Sequence, residues 1–263
     1  MTSSPRICLL DIETSPILGY AWQMWETNIL SVVQPVTVLC MGWKWLGDKE
    51  VNIKAQPDYP GYKGGVVDDS KLVVDLWKVL DEADVVLGHN SDSFDIKILN
   101  ARFVANGLNA PSDYKTIDTL KVAKKYFKFS SNSLNELGQY LKEGKKAPTG
   151  GFETWVKCME GDPAAWDRMK KYNIRDVELL ERVYLKLRPY IANHPNLNVI
   201  APPKVKQTEF ACSTCQSTNT VKRGFSVTKM GRYQRYQCQD CGSWSSGPYS
   251  RGSIIKPDYE PVE

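Results

Sequence analysis

Residues 6–14 read Arg6-Ile7-Cys8-Leu9-Leu10-Asp11-Ile12-Glu13-Thr14. The run through Leu10 is short and apolar, the mark of a buried strand. Two acids close it. Side chains two apart on a strand point to the same side, so Asp11 and Glu13 are expected to emerge together at the strand end. Close like charges raise each other's pKa, and a divalent cation held between them is the usual relief. An Asp-x-Glu pair at an exposed strand end is also ordinary surface chemistry, so the pair needs company before it signifies metal.

Working outward, residues 36–46 and 50–55 read as two further strands, joined by the turn Gly47-Asp48-Lys49. Residues 68–83 carry Leu72, Leu76, Val79 and Leu80 at helical spacing. A short apolar strand follows at 84–88. A helix is expected over 93–106, with Phe94, Ile98, Phe103 and Val104 available to a core and Gly107 as its stop. Residues 115–117 form one more candidate strand, and 119–127, 134–141 and 163–187 read as helices. Strands in a hairpin, then strands alternating with helices, predict an α/β domain with a mixed sheet flanked by helices. The loop 144–151, with Lys145, Lys146, Pro148 and two glycines, is expected to be mobile. Residues 20–34, with Trp22, Met24 and Trp25, are read as core in preference to a lining of a substrate groove.

Two more acidic positions accompany the first pair. Gly88-His89-Asn90-Ser91-Asp92-Ser93-Phe94-Asp95 joins a buried strand to a helix and sets Asp95 in that helix's first turn. Acids there also serve the helix dipole, and Asp92 and Ser93 are ordinary cap residues. Tyr172-Asn173-Ile174-Arg175-Asp176 lies inside a long helix, and its Tyr172 and Asp176, four apart, share one face. Each feature alone has a structural explanation.

Together, Asp-x-Glu on strand one, Asn-x3-Phe-Asp at a strand-to-helix junction and Tyr-x3-Asp on a late helix resemble the DEDD (DnaQ-like) 3′→5′ exonucleases, which have a ribonuclease H-like fold. Leu10-Asp11-Ile12-Glu13-Thr14 is similar to that family's first motif, and Ile117-Asp118-Thr119 and Ser133-Leu134-Asn135-Glu136-Leu137 resemble its spacer segments. The resemblance covers residues 6–188. One form of the family has His five residues before the last Asp, where this chain has Lys171; the other has Tyr four before it, here Tyr172. The chain therefore resembles the tyrosine form.

The resemblance implies that Asp11, Glu13, Asp95 and Asp176 hold two Mg²⁺ or Mn²⁺ ions and that Tyr172 orients the attacking water. Two metals supply a nucleophile and neutralise charge in phosphodiester cleavage, and hard carboxylate oxygens suit these ions. A Tyr with an ordinary pKa near 10 is a poor base at neutral pH, so positioning is the better role. Integrase-like and junction-resolving enzymes of the same fold, and a silent binding descendant, are the alternatives. Asn90 is taken as a nucleic-acid contact.

The seven cysteines divide sharply. Cys8, Cys40 and Cys158 stand alone and read as small buried hydrophobes. Cys212-x2-Cys215 and Cys238-x2-Cys241 are separated by 22 residues, a strong signature of one structural Zn²⁺, with Gly242 supporting the second knuckle turn. The intervening sequence looks like a zinc ribbon with a turn near Met230-Gly231, similar to ribbons of transposase-type DNA-binding proteins. Lys222, Arg223, Arg232, Tyr233 and Arg235 are its candidate nucleic-acid contacts, with cations expected on one strand face and rings on the other. The alternative is a ribbon whose rings form its own core.

Charge and length agree with this division. Of 263 residues, those from 201 onward hold nine Lys/Arg and five Asp/Glu, whereas the rest hold 25 of each, so the net +4 sits in the tail. The predicted organisation is a ribonuclease H-like domain over 1–192, a linker over 193–207, a ribbon over 208–248 and a tail over 249–263. Hydrophobic content of 42% excludes a wholly disordered chain. No apolar run is long enough to span a membrane, and no secretory leader is evident. The expected protein is a cytoplasmic metal-dependent 3′→5′ exonuclease, phage or bacterial. It would act on single-stranded DNA or frayed DNA ends in preference to RNA, with a polymerase or replication partner and no membrane.

Overall fold

The computed structural model describes residues 4–25, 28–65, 68–206, 209–229 and 231–249. It divides into two compact units, one spanning Arg6–Leu187 and one beginning at Arg188.

The first unit runs β1 (Ile7–Thr14), β2 (Leu18–Tyr20), β3 (Ser31–Gln34), β4 (Val38–Trp45), β5 (Asn52–Ala55), α1 (Ser70–Asp81), β6 (Val85–Gly88), α2 (Asp95–Ala105), β7 (Lys115–Asp118), α3 (Thr119–Tyr126), α4 (Leu134–Tyr140), α5 (Glu153–Glu160) and α6 (Pro163–Leu187). Five strands make one mixed sheet in the order β5-β4-β1-β6-β7. The first predicted strand is its centre: β1 runs antiparallel to β4 and parallel to β6. Its alternation works as expected. Cys8, Leu10 and Ile12 pack against Leu72 and Leu76 of α1 and Leu99 and Phe103 of α2. The opposite face of the sheet presents Leu39, Cys40 and Ala55 to Cys158 of α5 and to Ala165, Trp166 and Met169 of α6. Each fully buried Leu, Ile, Phe or Met among them contributes roughly 1.5–3 kcal/mol. The result is a sheet flanked by helices, with Cys8, Cys40 and Cys158 buried as anticipated.

Helix α6 decides where the site forms. Asp162 Oδ1 accepts the backbone N–H groups of Ala164 and Ala165 at 2.8 and 3.3 Å, and Pro163 opens the first turn, where its missing N–H costs nothing. The buried stripe of this 25-residue helix includes Trp166, Met169, Val177, Leu180, Val183 and Leu187, and also two polar members, Asn173 and Asp176. A polar pair in an otherwise apolar stripe needs partners on the sheet.

One expectation is corrected. The described residues of 20–34 do not enter the core: they belong to the β2–β3 hairpin, and Trp22 and Trp25 are 90% and 78% exposed. The chain leaves the sheet at the irregularity between Glu13 and Thr14, and Ser15 and Thr37 clamp the arm's base through backbone and hydroxyl hydrogen bonds of 2.9–3.1 Å. Helix α5 was not anticipated; its two buried residues, Thr154 and Cys158, four apart, are too sparse a stripe to read from sequence. In the loop 144–151, Lys146 N–H donates to Asn135 Oδ1 at 3.0 Å and Thr154 Oγ1 donates to the Thr149 carbonyl at 2.6 Å.

The second unit contains α7 (Leu197–Ile200) and β8 (Thr220–Thr228), β9 (Gly231–Cys238) and β10 (Trp244–Tyr249), the strands forming an antiparallel sheet in the order β10-β9-β8. Helix α7 lies within the stretch read as linker. It is bonded to the first cysteine knuckle: Leu197 N–H donates to the Ser213 carbonyl at 2.8 Å, and Gln216 Nε2 donates to the carbonyls of Leu197 and Ala201. The proposed turn residue Met230 and the tail from 250 onward lie outside the described residues.

Candidate active site and metal centres

Asp11 and Glu13 leave β1 on the side covered by α6. Asp11 lies opposite Gly42 of β4, and Asn173 of α6 reaches down to it, donating from Nδ2 to Asp11 Oδ2 at 2.7 Å and to the Asp11 carbonyl at 3.2 Å. Gly42 permits this, because a Cβ there would collide with Asn173 Oδ1. One turn further along α6, Asp176 brings its carboxylate to the same place. Asp11, Glu13 and Asp176 offer oxygens that all lie within 4.8 Å of one another. Asp95, in the first turn of α2, is buried beside them but outside that tight trio; its Oδ1 accepts the Ile12 N–H at 3.1 Å, between the two strand acids.

Such crowding has an electrostatic signature. Burial raises Asp11 well above the usual carboxylate range, reinforced by Asp95, Glu13 and Asp176. Burial and then Asp176 push Glu13 up to about 7, with the Lys146 charge and then an indole hydrogen bond from Trp155 in partial relief. Asp95 is raised by burial to about 6. Oδ1 of Asp176 is buried and has no hydrogen-bond partner. Carboxylates that repel one another, two half-buried and two buried, all hard oxygens, with one oxygen orphaned, fit a divalent cation of the Mg²⁺ or Mn²⁺ kind.

Lys146 enters this cluster, a contact that sequence reasoning missed. Its Nζ donates to Asp176 Oδ2 at 2.5 Å and to the Tyr172 hydroxyl at 2.9 Å. Burial opposes its charge, but Asp176 and Tyr172 more than offset that and hold the ammonium protonated. The Tyr172 hydroxyl is pushed above its ordinary range by burial and by Asp176. The hydroxyl therefore keeps its proton at neutral pH and remains a neutral donor. No spacing rule connects Lys146 to partners 26 and 30 residues away; Asn173, three before Asp176, lies inside the Tyr-x3-Asp motif, and its helical register with Asp176 is the signal that could have found it.

A sequence model of the RNase H superfamily matches residues 57–188, half of the chain. The chain belongs to the RNase H superfamily. The matched part holds Asp95, Lys146, Tyr172 and Asp176, while the β1 acids precede it. A nuclease of the RNase H fold is the class of activity that this membership supports. No curated protein matches the chain. Among solved structures, the family B DNA polymerase from the hyperthermophilic archaeon Pyrobaculum calidifontis is similar, with a TM-score of 0.51 and 18% identity over 72% of this chain and 25% of the polymerase. The chain thus spans about a quarter of that polymerase's length, and the likeness is one of fold.

In the second unit, Cys212, Cys215, Cys238 and Cys241 converge, their sulfurs all within 4.8 Å of one another. Cys212 and Cys241 sulfurs are 3.7 Å apart and those of Cys215 and Cys238 3.6 Å. A disulfide needs about 2.05 Å, whereas four thiolates each about 2.3 Å from a tetrahedral zinc lie roughly 3.8 Å apart. The two knuckles close alike: Gln216 N–H donates to the Cys212 carbonyl and Gly242 N–H to that of Cys238, and both residues have positive φ, 63° and 76°. Gly242 was foreseen; Gln216, strained there, is held by its side-chain bonds to α7.

The candidate nucleic-acid contacts fall in two places. Asn90, with φ of 66°, lies at the β6–α2 junction and donates its N–H to Asp118 Oδ1 at 2.8 Å. Lys222 and Arg223 are exposed on β8, with Arg232, Tyr233 and Arg235 on β9. The expected separation of cations from rings does not occur. Arg232 lies over Phe225 at 3.7 Å and Arg235 over Trp244 at 5.1 Å. The two arginines are an odd number of residues apart, so a pleated strand sends them to opposite faces, each with its own ring. Tyr236 instead stacks on Phe210 at 3.9 Å. Among the described residues, no helix is long and apolar enough to cross a membrane.

Proposed function

We infer that this RNase H superfamily member is a divalent-metal-dependent 3′→5′ exonuclease that removes nucleotides from single-stranded DNA or frayed ends, and that its C-terminal unit is a zinc ribbon that holds the nucleic acid. The observation that carries the reading is the convergence of Asp11, Glu13 and Asp176 beside Tyr172. Direction and tyrosine type rest on the resemblance of the three motifs to the DEDD exonucleases.

Asp11, Glu13, Asp95 and Asp176 would hold the catalytic cations, which when bound supply an activated water and neutralise charge on the phosphate. Asn173 keeps Asp11 oriented from Nδ2. Asp95 braces the β1 end by accepting the Ile12 N–H. Tyr172, protonated, presents a donor edge to the attacking water. Lys146 offers a fixed positive charge beside the same carboxylates, suited to the phosphate's developing charge. The zinc site is closed by four sulfurs and has a folding role only.

The test is a time course on 5′-labelled single-stranded DNA and matched RNA with Mg²⁺, Mn²⁺ or EDTA, beside Asp11→Ala. A metal-dependent ladder of shortening DNA products, absent in the variant, is expected. Preferential digestion of the RNA would reassign the substrate. Binding without cleavage under every condition would make the chain a silent zinc-ribbon binding protein.

A further inference from the structure

A cavity of about 630 Å³ opens between the 144–151 loop and the first half of α6. Five cations line it, Lys145, Lys146, Arg168, Lys171 and Arg175, against a single acid, Asp167. Three of them follow a helix periodicity: Arg168, Lys171 and Arg175 are spaced by three and four residues and share one face of α6. That face rises about 10 Å from the first to the last.

What distinguishes the charges in this cavity is that they gather in one concavity with a single acid, whereas several cations elsewhere in the unit are neutralised by acids. Lys44 pairs with Glu181, Lys54 with Asp75, Lys170 with Asp58 and Lys186 with Glu143. Among the described residues, Lys145, Lys171 and Arg175 have no ion-pair partner, and Arg168 reaches only the hydroxyl of Thr154, at 3.5 Å. A concave site with several unpaired cations repels itself unless an anion enters, and it focuses a positive field toward such an anion. Lys146 belongs to both places, since it lines the cavity and touches Tyr172 and Asp176. The cavity therefore adjoins the carboxylate cluster, one side chain away.

We propose that this cavity is the track for the phosphodiester backbone of the substrate strand, seating consecutive phosphates next to the scissile one. The occupant is a strand rather than a compact anion because the cations are spread along two turns of helix and a facing loop. The proposal rests on the nuclease reading and deepens it, since it assigns strand binding to the catalytic unit as well as to the ribbon.

The experiment uses the full chain. Binding of dye-labelled (dT)12 is followed by anisotropy in EDTA across a salt series for wild type, Lys171→Glu/Arg175→Glu and the charge-conserving Lys171→Arg/Arg175→Lys. Loss of two phosphate contacts should lower the magnitude of the log Kd against log salt slope by about 1.4 in the first variant, and the conserving variant should keep the wild-type slope. In Mg²⁺ or Mn²⁺, the ratio of kcat/KM on a 20-mer to that on a dinucleotide should fall at least about tenfold in the first variant. An unchanged slope and ratio in a normally melting charge-reversal variant overturns the track. Wild-type-sensitive competition by dTMP, with the same Lys171/Arg175 dependence and no dependence on oligonucleotide length, overturns it in favour of a free-nucleotide site. A wild-type protein that binds with the expected slope yet releases no nucleotide would sink the exonuclease reading and leave the track standing.

Discussion

The molecule holds two clusters of metal-ligating side chains, and they solve the same electrostatic problem in opposite ways. Four cysteines in the ribbon sit at sulfur separations of 3.6 and 3.7 Å, set by two backbone knuckles that bring four like ligands together. Three carboxylates in the RNase H unit come from two distant elements, keep an orphaned oxygen, and admit the ammonium of a loop lysine. The soft cage is built by local sequence and stabilises a small unit that has little other core. The hard cluster is held by the fold, at a cost in repulsion, and keeps a position that an exchangeable cation can take. Closure suits folding; openness suits turnover.

The largest effect expected from breaking this comparison is on the ribbon. Cys215→Ser, or chelation, removes a contribution of about 10–16 kcal/mol of the kind measured for structural zinc. Loss of bound zinc by elemental analysis should accompany loss of the ribbon's amide-exchange protection, while the Arg6–Leu187 unit still melts cooperatively. A truncation meant to isolate that unit should be cut before α7, because α7 is bonded to the first knuckle.

Next comes the acid cluster. Asp176→Asn should cut nuclease turnover on the order of 10³-fold, equivalent to about 4 kcal/mol of lost transition-state stabilisation, with little change in melting. Unchanged turnover would remove Asp176 from the site. Gly42→Ala tests the brace behind the cluster: a Cβ there meets Asn173 Oδ1, and overpacking of this kind costs about 1–3 kcal/mol. A melting temperature several degrees lower is the expected reading, together with reduced activity as Asp11 loses its orientation.

The smallest effect is on pH. Glu13 at about 7 and Asp95 at about 6 keep protons in the folded state that the unfolded chain loses near its ordinary carboxylate range. The fold thus binds more protons than the unfolded chain between about pH 4 and 7, so metal-free stability should fall as pH rises through that window. Below it both states are protonated and the effect vanishes. Divalent cations compete for the same oxygens, so Mn²⁺ or Mg²⁺ should raise the melting temperature more at pH 8 than at pH 5.5. Equal shifts at both pH values would contradict the raised carboxylates.

Much of the architecture was legible because its signals are local. Periodicity marks β1, the α1 stripe of Leu72, Leu76 and Leu80, and the 25 residues of α6. The exposed hairpin was misread because Trp22, Met24 and Trp25 carry no sign of whether a sheet will cover them. Helix α5 was missed because two buried positions do not make a visible stripe.

By itself, the sequence determined the order of β1, β4–β7, α1–α4 and α6, the parity that puts Asp11 and Glu13 on one face, the helical spacing of Tyr172 and Asp176, and the four-cysteine set. These follow from fixed repeats of two and 3.6 residues and from ligand chemistry. Only the tertiary structure decided that α6 lies over β1 so that Asp176 meets Asp11, that Gly42 makes room for Asn173, that Lys146 returns to the carboxylates, and that five cations enclose one cavity beside them. Those contacts join residues far apart in the chain, and their positions are set by how the layers pack, which no local repeat encodes.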